Sequence, residues 1–418
     1  MNILFSAGYL SNVPFANNNI EILLADTLAK KGHKCFVTGV SHDVAVDKTT
    51  SHGTVVKSWG IHPIFKKATD CLEKTLEGFD VSEHSREVKK FIFKHPIYAI
   101  AIFILKTEYP YKTINKRYIK KIKQLIKNEN VTSVVSFCYP FDMVKLIFDE
   151  DLPVDKIYYQ FDPYGMHETL DVENKQTKIK EETEVIKKSK ATITTQVLAK
   201  QYLENESYSI YKDKIFGVDF PVLAQKREKN INIPFEFLKD NTNILFCGTI
   251  DDGFRNPDYV LKCLEQVFIK DKTVKVYFLG PQQGVKVKQW AEKYPENIFY
   301  HLGVENEIAV ETTLKADILL NIGNAISNMV PSKIFDYFAT GKPIINVQKI
   351  EKSPDIDYFE KYPLKITLNE YENDICGDKL YDFICQNKNK KIDFEQVEKL
   401  FYTATPEFVA DMIEKNLK

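Results

Sequence analysis

The chain has 418 residues, enough for two large domains with buried cores. With 44% hydrophobic and 28% charged residues, and only 16 Gly and 17 Pro, its composition excludes a disordered, collagen-like or disulfide-scaffold chain. Fifty-seven Lys and Arg against 58 Asp and Glu leave a net charge of −1, so no overall polycation points to nucleic acid and any electrostatic partner must be sought locally.

Seven cysteines (Cys35, Cys71, Cys138, Cys247, Cys263, Cys376 and Cys385) are scattered, mostly in apolar runs, without the spacing of a metal site. They are expected to be buried thiols in a reducing compartment. The first residues start a strand directly, with no basic region followed by a long apolar run, so no secretory leader is expected. The longest apolar stretch, 91–105, is 15 residues broken by Lys94, His95 and Pro96, too short to span a bilayer as a lone helix.

Residues 3–7 read as a strand and 8–18 as a loop rich in Gly, Ser, Pro and Asn. Ile20, Leu23, Leu24 and Leu28 then recur at helical spacing up to Gly32, and 35–40 is the next strand. This is a βαβ unit, whose crossover favours a parallel sheet. Strands at 131–137, 156–160 and 191–195 and a helix at 178–190 continue the alternation. The pattern loosens between 208 and 240, and the domain junction is placed near Pro221. A second series follows: strands at 243–247, 274–279, 298–301, 318–321 and 344–347, with a helix at 257–270. The expected fold is α/β, two doubly wound domains facing across a cleft, spanning 1–220 and 221–400. An amphipathic helix in 401–418 could either cross back onto the first domain or stay on its own. Ligands on such sheets collect at the carboxyl ends of the strands, which confines the search for chemistry to those loops.

The most informative stretch is Asn328-Met329-Val330-Pro331-Ser332-Lys333-Ile334-Phe335-Asp336-Tyr337-Phe338-Ala339-Thr340-Gly341-Lys342-Pro343. Ser332 is expected to cap a short helix whose first turn carries Lys333, a suitable seat for a pyrophosphate, with Asp336 accepting hydrogen bonds from a ribose diol. The competing reading is a plain capped helix with a solvated Lys/Asp pair.

This stretch resembles the donor-site signature of GT-B-fold glycosyltransferases of the family 4 type, in particular polysaccharide-building members. That signature is a Glu, seven intervening residues, and a second Glu five before a Gly-x-Pro. Here Asp336 lies five before Gly341-Lys342-Pro343 and Asn328 lies eight before Asp336, so both carboxylate positions depart from the pattern. Asp shortens the reach by a methylene, and Asn replaces an acceptor by a group that also donates. The resemblance implies a GT-B fold and transfer of a hexose-type sugar, with retention, from a nucleoside diphosphate, UDP by frequency. It further implies no cofactor beyond the nucleotide sugar and no metal; no Asp-x-Asp triplet stands where a metal grip would be trusted. Asn328, Met329, Val330, Ser332 and Asp336 are carried over as donor contacts.

Gly248 and Thr249 resemble the first loop of the family's second domain, where backbone approaches the diphosphate, and Arg255 would supply charge. A plain surface arginine is the alternative. Pro281, and Gly303 with Val304, resemble the strand-end loops that hold the nucleobase. In the first half, Gly8, Asn17 and Asn18 occupy the place of a loop near the donor phosphates or the acceptor, with an Asn-rich helix cap as the bland reading. Residues 158–168 place Asp, Tyr, His and Glu in one loop after a strand; Asp162 and His167 are the candidate catalysts, against a loop histidine with no role. Lys333 and Arg255 would stand in for a metal against the leaving diphosphate.

From Arg86 to Lys127, twelve bases face two acids, Glu87 and Glu108, about +10 in all, with apolar and aromatic residues interleaved. Such a segment suits an anionic membrane face, from which a lipid-linked glycan acceptor could be reached. A solvated helical face, a protein partner or nucleic acid compete, the last without any accompanying motif. The enzymatic alternative is a nucleotide-sugar epimerase, which needs no acceptor surface; the binding alternative is a non-catalytic module that scaffolds a transferase, suggested by the two replaced glutamates.

Overall fold

The computed structural model describes residues 1–10, 16–41, 46–60, 67–68, 71–72, 74–75, 84–105, 109–138, 140–253, 255–281 and 284–418. Residues 11–15 of the loop after the first strand, and Lys106 and Glu108 of the basic stretch, lie outside them, as do the side chains of Asn17, Asn18, Arg86, Glu87 and Lys112.

Two sheets carry the fold. The first has the order β3-β4-β2-β1-β5-β6-β7-β8, from β1 (Asn2–Tyr9), β2 (Lys34–Ser41), β3 (Asp47–Thr49), β4 (Val55–Gly60), β5 (Ser133–Phe137), β6 (Asp155–Gln160), β7 (Ala191–Thr195) and β8 (Ile215–Val218). Its pairings are parallel except that of the edge strand β3 with β4. The second has the order β11-β10-β9-β12-β13-β14 and is parallel throughout. Its strands are β9 (Thr242–Cys247), β10 (Val274–Gly280), β11 (Ile298–Leu302), β12 (Ile318–Ile322), β13 (Ile344–Gln348) and β14 (Lys365–Asn369). Runs such as β5 and β12 are buried at every residue, because helices cover both faces and no alternation with polar residues is needed.

The expected doubly wound α/β architecture is thus the one found. In each sheet the first strand is central and the order reverses beside it, between β1 and β5 and between β9 and β12. Loops leave such a switch point in opposite directions and open a crevice at the strands' carboxyl ends. Gly8 ends the regular part of β1 at φ +56°, and Gly248 follows β9.

The chain passes from β8 to β9 through residues 219–241, and the two sides are tied at this passage. Asp219 is buried and its carboxylate accepts from Tyr358 Oη and Thr403 Oγ1, both at 2.5 Å. Burial pushes the Asp219 carboxyl up, which those bonds partly offset. The last helix, Pro406–Leu417, is capped by Thr405, which accepts from Phe408 N at 3.2 Å, and buries Val409, Ala410, Ile413 and Leu417. It returns to the first sheet's side and packs on the helix Ala16–Lys30, with Lys31 paired to Asp411 and Lys190 Nζ reaching Leu417 O at 3.2 Å.

Several expectations need correction. All seven thiols are unpaired, but Cys385 is exposed and Cys71, Cys138 and Cys376 only half-buried, since the helix Gly377–Asn387 turns Leu380 and Ile384 inward and leaves Cys385 outside. The helix after β1 begins at Ala16, so Asn17 and Asn18 sit in its first turn rather than capping it. The basic stretch is not one amphipathic segment. The helix Tyr109–Glu129 buries Tyr118, Ile119, Ile122 and Ile126, and Lys116, Arg117, Lys120, Lys121 and Lys123 lie on its solvated face. The pair His84–Lys94 and Pro96–Leu105 does the opposite, leaving Ile92, Phe93, Ile97, Ile100 and Phe103 exposed, Phe93 at 92%. Among the described residues no helix is long and apolar enough to cross a membrane.

Gly341 illustrates how local sequence locks the second sheet. It stands at φ +70°, and an added Cβ would lie 2.0 Å from the carbonyl oxygen of Ile392, whose own N–H donates to Gly341 O at 2.8 Å. Gly341→Ala is expected to cost about 2–5 kcal/mol, from strained backbone plus overpacking, as a lower midpoint of urea unfolding. An unchanged midpoint would show that this approach can relax.

Candidate active site

At the carboxyl end of β9 the backbone is open to close approach. The Cys247 N–H donates to Tyr337 Oη at 2.9 Å, and Gly248 N donates to Leu279 O at 2.7 Å, which joins this strand end to that of β10. Lys333 Nζ donates to Cys247 O and lies 3.5 Å from Cys247 Sγ; an added Cβ on Gly248 would be 3.9 Å from the same ammonium. Gly248 and Thr249 are half-buried beside it. Arg255, also half-buried, donates through Nε to Asn324 Oδ1 at 3.1 Å, and Asn324 Nδ2 donates to Met329 O at 3.3 Å. Burial lowers the Arg255 guanidinium from its ordinary value, with Asp251 and Tyr337 nearby opposing the shift. Lys333 therefore meets the end of β9, while Arg255 is bonded to the loop after β12, in which Met329 and the buried Val330 stand.

The short helix that provides Lys333 runs Lys333–Phe338, with Asp336 in its first turn. Ser332 is not its side-chain cap: it has helical dihedrals, φ −56° and ψ −30°, and its hydroxyl makes no capping bond. Backbone bonds start one residue earlier, with Ile334 N donating to Pro331 O at 3.2 Å, so the turn is already wound at Ser332. Asp336 is ion-paired with Lys226 from the passage between the sheets, the two side chains 30% and 28% exposed. A ribose diol would have to share that carboxylate or displace the lysine.

Pro281, Gly303 and Val304 lie next to each other. Gly303 stands at φ +24°, its N–H donates to Gly280 O at 2.8 Å, and an added Cβ would come within 3.8 Å of Pro281 Cα. These loops form a continuous rim with Gly248 along β9, β10 and β11.

Across from this rim, the loop after β6 meets the loop after β12. Asn328 is buried and donates through Nδ2 to Met166 O at 2.8 Å and to Gln201 Oε1 at 3.1 Å; its Oδ1 is buried with no partner among the described residues. Glu168 accepts from Ser327 N at 3.0 Å and from Ser327 Oγ. A glutamate at 328 would turn only acceptors toward the Met166 carbonyl and the Gln201 amide oxygen, which gives a physical reason for an amide there. Asp162 is half-buried; burial raises its carboxyl, and the nearby His167 opposes that. His167 Nδ1 is engaged locally by Thr169, at 3.3 Å from N and 2.8 Å from Oγ1.

The structure thus brings Lys333 and Gly248 together at the end of β9 with Thr249 next in the chain, ties Arg255 to the loop after β12, and holds Asp162, His167 and Glu168 in one loop of the first half, with Asn328 bridging. Gln201, Lys226 and Asn324 were missed in the sequence, because their importance comes from partners 69 to 127 residues away.

No family model and no curated protein matches the chain. Solved structures do. An α,α-trehalose-phosphate synthase (UDP-forming) from Burkholderia xenovorans, in complex with glucose-6-phosphate, is 8% identical with a TM-score of 0.58 over 100% of this chain and 99% of that one. A glycosyltransferase from Rickettsia africae is 13% identical with a TM-score of 0.57 over 99% and 97%. WaaG, a glycosyltransferase involved in lipopolysaccharide biosynthesis, is 11% identical with a TM-score of 0.53 over 98% and 99%. At these identities the likeness establishes the fold, and the fold is GT-B.

Replacing Asn328 by Glu should cost about 1–3 kcal/mol in urea unfolding, since two donated bonds are exchanged for facing acceptors. Limited proteolysis should cut 323–330 faster in that variant. Equal stability and equal cleavage would mean that the contact between the two loops carries no energy.

Proposed function

We propose that the chain is a glycosyltransferase that moves a hexose-type sugar from a nucleoside diphosphate sugar, UDP first among the nucleotides, to a growing lipid-linked glycan with retention of configuration. The observation that carries this reading is Lys333 at the end of β9 beside Gly248, with Arg255 from the following loop held at the end of the neighbouring strand β12, so that both strands of the second sheet's switch point carry a cation. Negative charge grows on the leaving diphosphate as the glycosidic bond breaks, and half-buried cations held in place beforehand stabilise it without reorganisation. Lys333 gives up a neutral carbonyl, Cys247 O, for a phosphoryl oxygen, which exchanges an ion–dipole contact for a charge-assisted bond. Arg255 is held through Nε, and its planar fork suits two phosphoryl oxygens.

The rim of Pro281, Gly303 and Val304 receives the base through backbone groups. Asp336 takes the ribose once Lys226 yields, and Asn328 Oδ1, buried and unpartnered, accepts from a sugar hydroxyl. On the facing side, Asp162 orients or deprotonates the acceptor hydroxyl; a carboxyl raised by burial is a better base near neutrality than an ordinary one. Gly8 at the end of β1, and Asn17 and Asn18 in the first turn of the helix after it, complete the acceptor or phosphate side. The descriptions of the structural neighbours, a UDP-forming synthase and an enzyme of lipopolysaccharide biosynthesis, support both a UDP sugar and a glycan acceptor.

The enzyme works docked on the anionic inner face of a membrane through residues 86–127. The helix pair 84–105 supplies exposed Phe93, Ile97, Ile100 and Phe103 together with exposed Lys89 and Lys94. Each well-placed base adds about 1 kcal/mol of attraction to anionic lipid.

Thermal shift tests the donor site. UDP at 100 times its dissociation constant should stabilise by about 2.7 kcal/mol, and Lys333→Ala or Arg255→Ala should abolish that shift while leaving the unliganded melting point within a degree or two. The absence of a shift with any nucleoside diphosphate would favour a scaffold without activity. For docking, flotation with phosphatidylglycerol vesicles should carry the protein up, whereas phosphatidylcholine vesicles should not. Phe93→Ser combined with Ile97→Ser should abolish flotation and keep the UDP shift; flotation of that double variant would remove the helix pair from the account.

A further inference from the structure

Glu182, on the helix Val172–Lys188, touches none of the residues assigned to the donor, yet it is 0% exposed and surrounded by polar groups. Its Oε1 lies 2.9 Å from both Tyr158 Oη and Tyr202 Oη. Its Oε2 accepts from Tyr208 Oη at 2.5 Å and from Gly165 N at 3.1 Å. Gly165 belongs to the loop that carries Asp162, Met166, His167 and Glu168. An added Cβ there would lie 2.5 Å from Tyr208 Oη and 3.0 Å from Glu182 Oε2, so this loop is pressed directly onto the cluster.

Proton counting decides the charge of the group. Gln160 Nε2 donates to Asp162 O at 2.8 Å, and a carbonyl can only accept, so the other end of that amide, Oε1, is fixed as an acceptor. Oε1 is hydrogen-bonded to the Tyr202 hydroxyl, which has one proton to give. With that proton spent on Gln160, an ionised Glu182 would set bare lone pairs against the Tyr202 oxygen 2.9 Å away, inside a site closed to water. A protonated Oε1 removes the conflict. Glu182 then donates to Tyr202, Tyr202 to Gln160 and Gln160 to the Asp162 carbonyl, while Tyr158, Tyr208 and the Gly165 N–H donate to Glu182, and every group is matched. Independently of this count, burial pushes the Glu182 carboxyl above its usual range, against the bonds that pull it down.

We propose that Glu182 is a positioning residue, held as a neutral carboxylic acid, that orients the loop 161–170 through Gly165 and through the chain Tyr202–Gln160–Asp162, and thereby sets Met166 and Glu168 against Asn328 and Ser327. That this placement serves glycosyl transfer rests on the function proposed above; the charge state and the orientation of the loop do not.

The test uses the whole chain without donor or turnover. Glu182→Gln keeps the acceptor toward Tyr208 and the Gly165 N–H and replaces the acid hydroxyl by an NH2 with two donors, one for Tyr202 and one for Tyr158, whose hydroxyl can turn to accept. It is expected to leave amide hydrogen exchange at 165–168 as in the parent, whereas Glu182→Asp and Tyr208→Phe should each accelerate it about tenfold, the equivalent of one lost buried hydrogen bond. Difference infrared spectroscopy at neutral pH should show the carbonyl stretch of a protonated carboxyl that vanishes in Glu182→Gln and persists in Glu168→Gln. Exchange in Glu182→Gln as fast as in Glu182→Asp, or no such band in the parent, would overturn the proposal. Failure to bind any nucleotide would count against the transferase reading and leave this one standing.

Discussion

A sheet whose strands run parallel, with helices packed on both faces, leaves only its strand ends free to meet a ligand. Every backbone N–H and C=O within the strands is already paired, so close approach is possible only where the chain turns from strand to helix. Both sheets here obey that constraint and place their first strand at the point where strand order reverses. The switch points lie at the ends of β1 and β9, and glycines stand at or just after those ends, Gly8 and Gly248. The remaining site residues are arranged around this backbone opening.

The charges follow from the same geometry. Lys333 comes from a short helix whose apolar residues Ile334, Phe335 and Phe338 are buried, which leaves its ammonium the strand end as its place. Arg255 comes from the loop after β9 and is braced by Asn324 from the loop after β12, so two neighbouring strand ends steady one guanidinium. Cations held by packing and by neutral partners keep most of their charge available to an anion. Lys226, by contrast, already neutralises Asp336 from the chain passage between the sheets.

The loop after β6 joins the two halves of this arrangement. On one side it is tied to Glu182 and its tyrosines; on the other, Met166 and Glu168 grip Asn328 and Ser327. An amide rather than a carboxylate at Asn328 is intelligible only with both sides in view, since its nitrogen donates to two acceptors that belong to the first half of the chain. Asp219 plays a comparable part at the chain passage between the sheets, where Tyr358 and Thr403 hold its buried carboxylate.

Sequence alone determined the α/β class, the division into two sheets and ten strands, among them both central ones, but not β3, β4, β8 and β14, which lie toward or at the sheet edges. Those features depend on local periodicity and on which residues tolerate a turn, and neighbours along the chain settle them. It also drew attention to Lys333, as a base in the first turn of a short helix, and, through a family resemblance, to Arg255 and Gly248. Only the tertiary structure decided that Ser332 is inside a wound turn rather than capping it, and that Ile92, Phe93, Ile97, Ile100 and Phe103 face outward while Tyr118, Ile119, Ile122 and Ile126 face inward. The same holds for the partners of Asn328, Asp336 and Glu182, supplied by elements from 17 to 162 residues away. The physical reason is that a hydrogen bond or an ion pair is satisfied by whatever is near in space, and nothing in the residue itself records who that partner is.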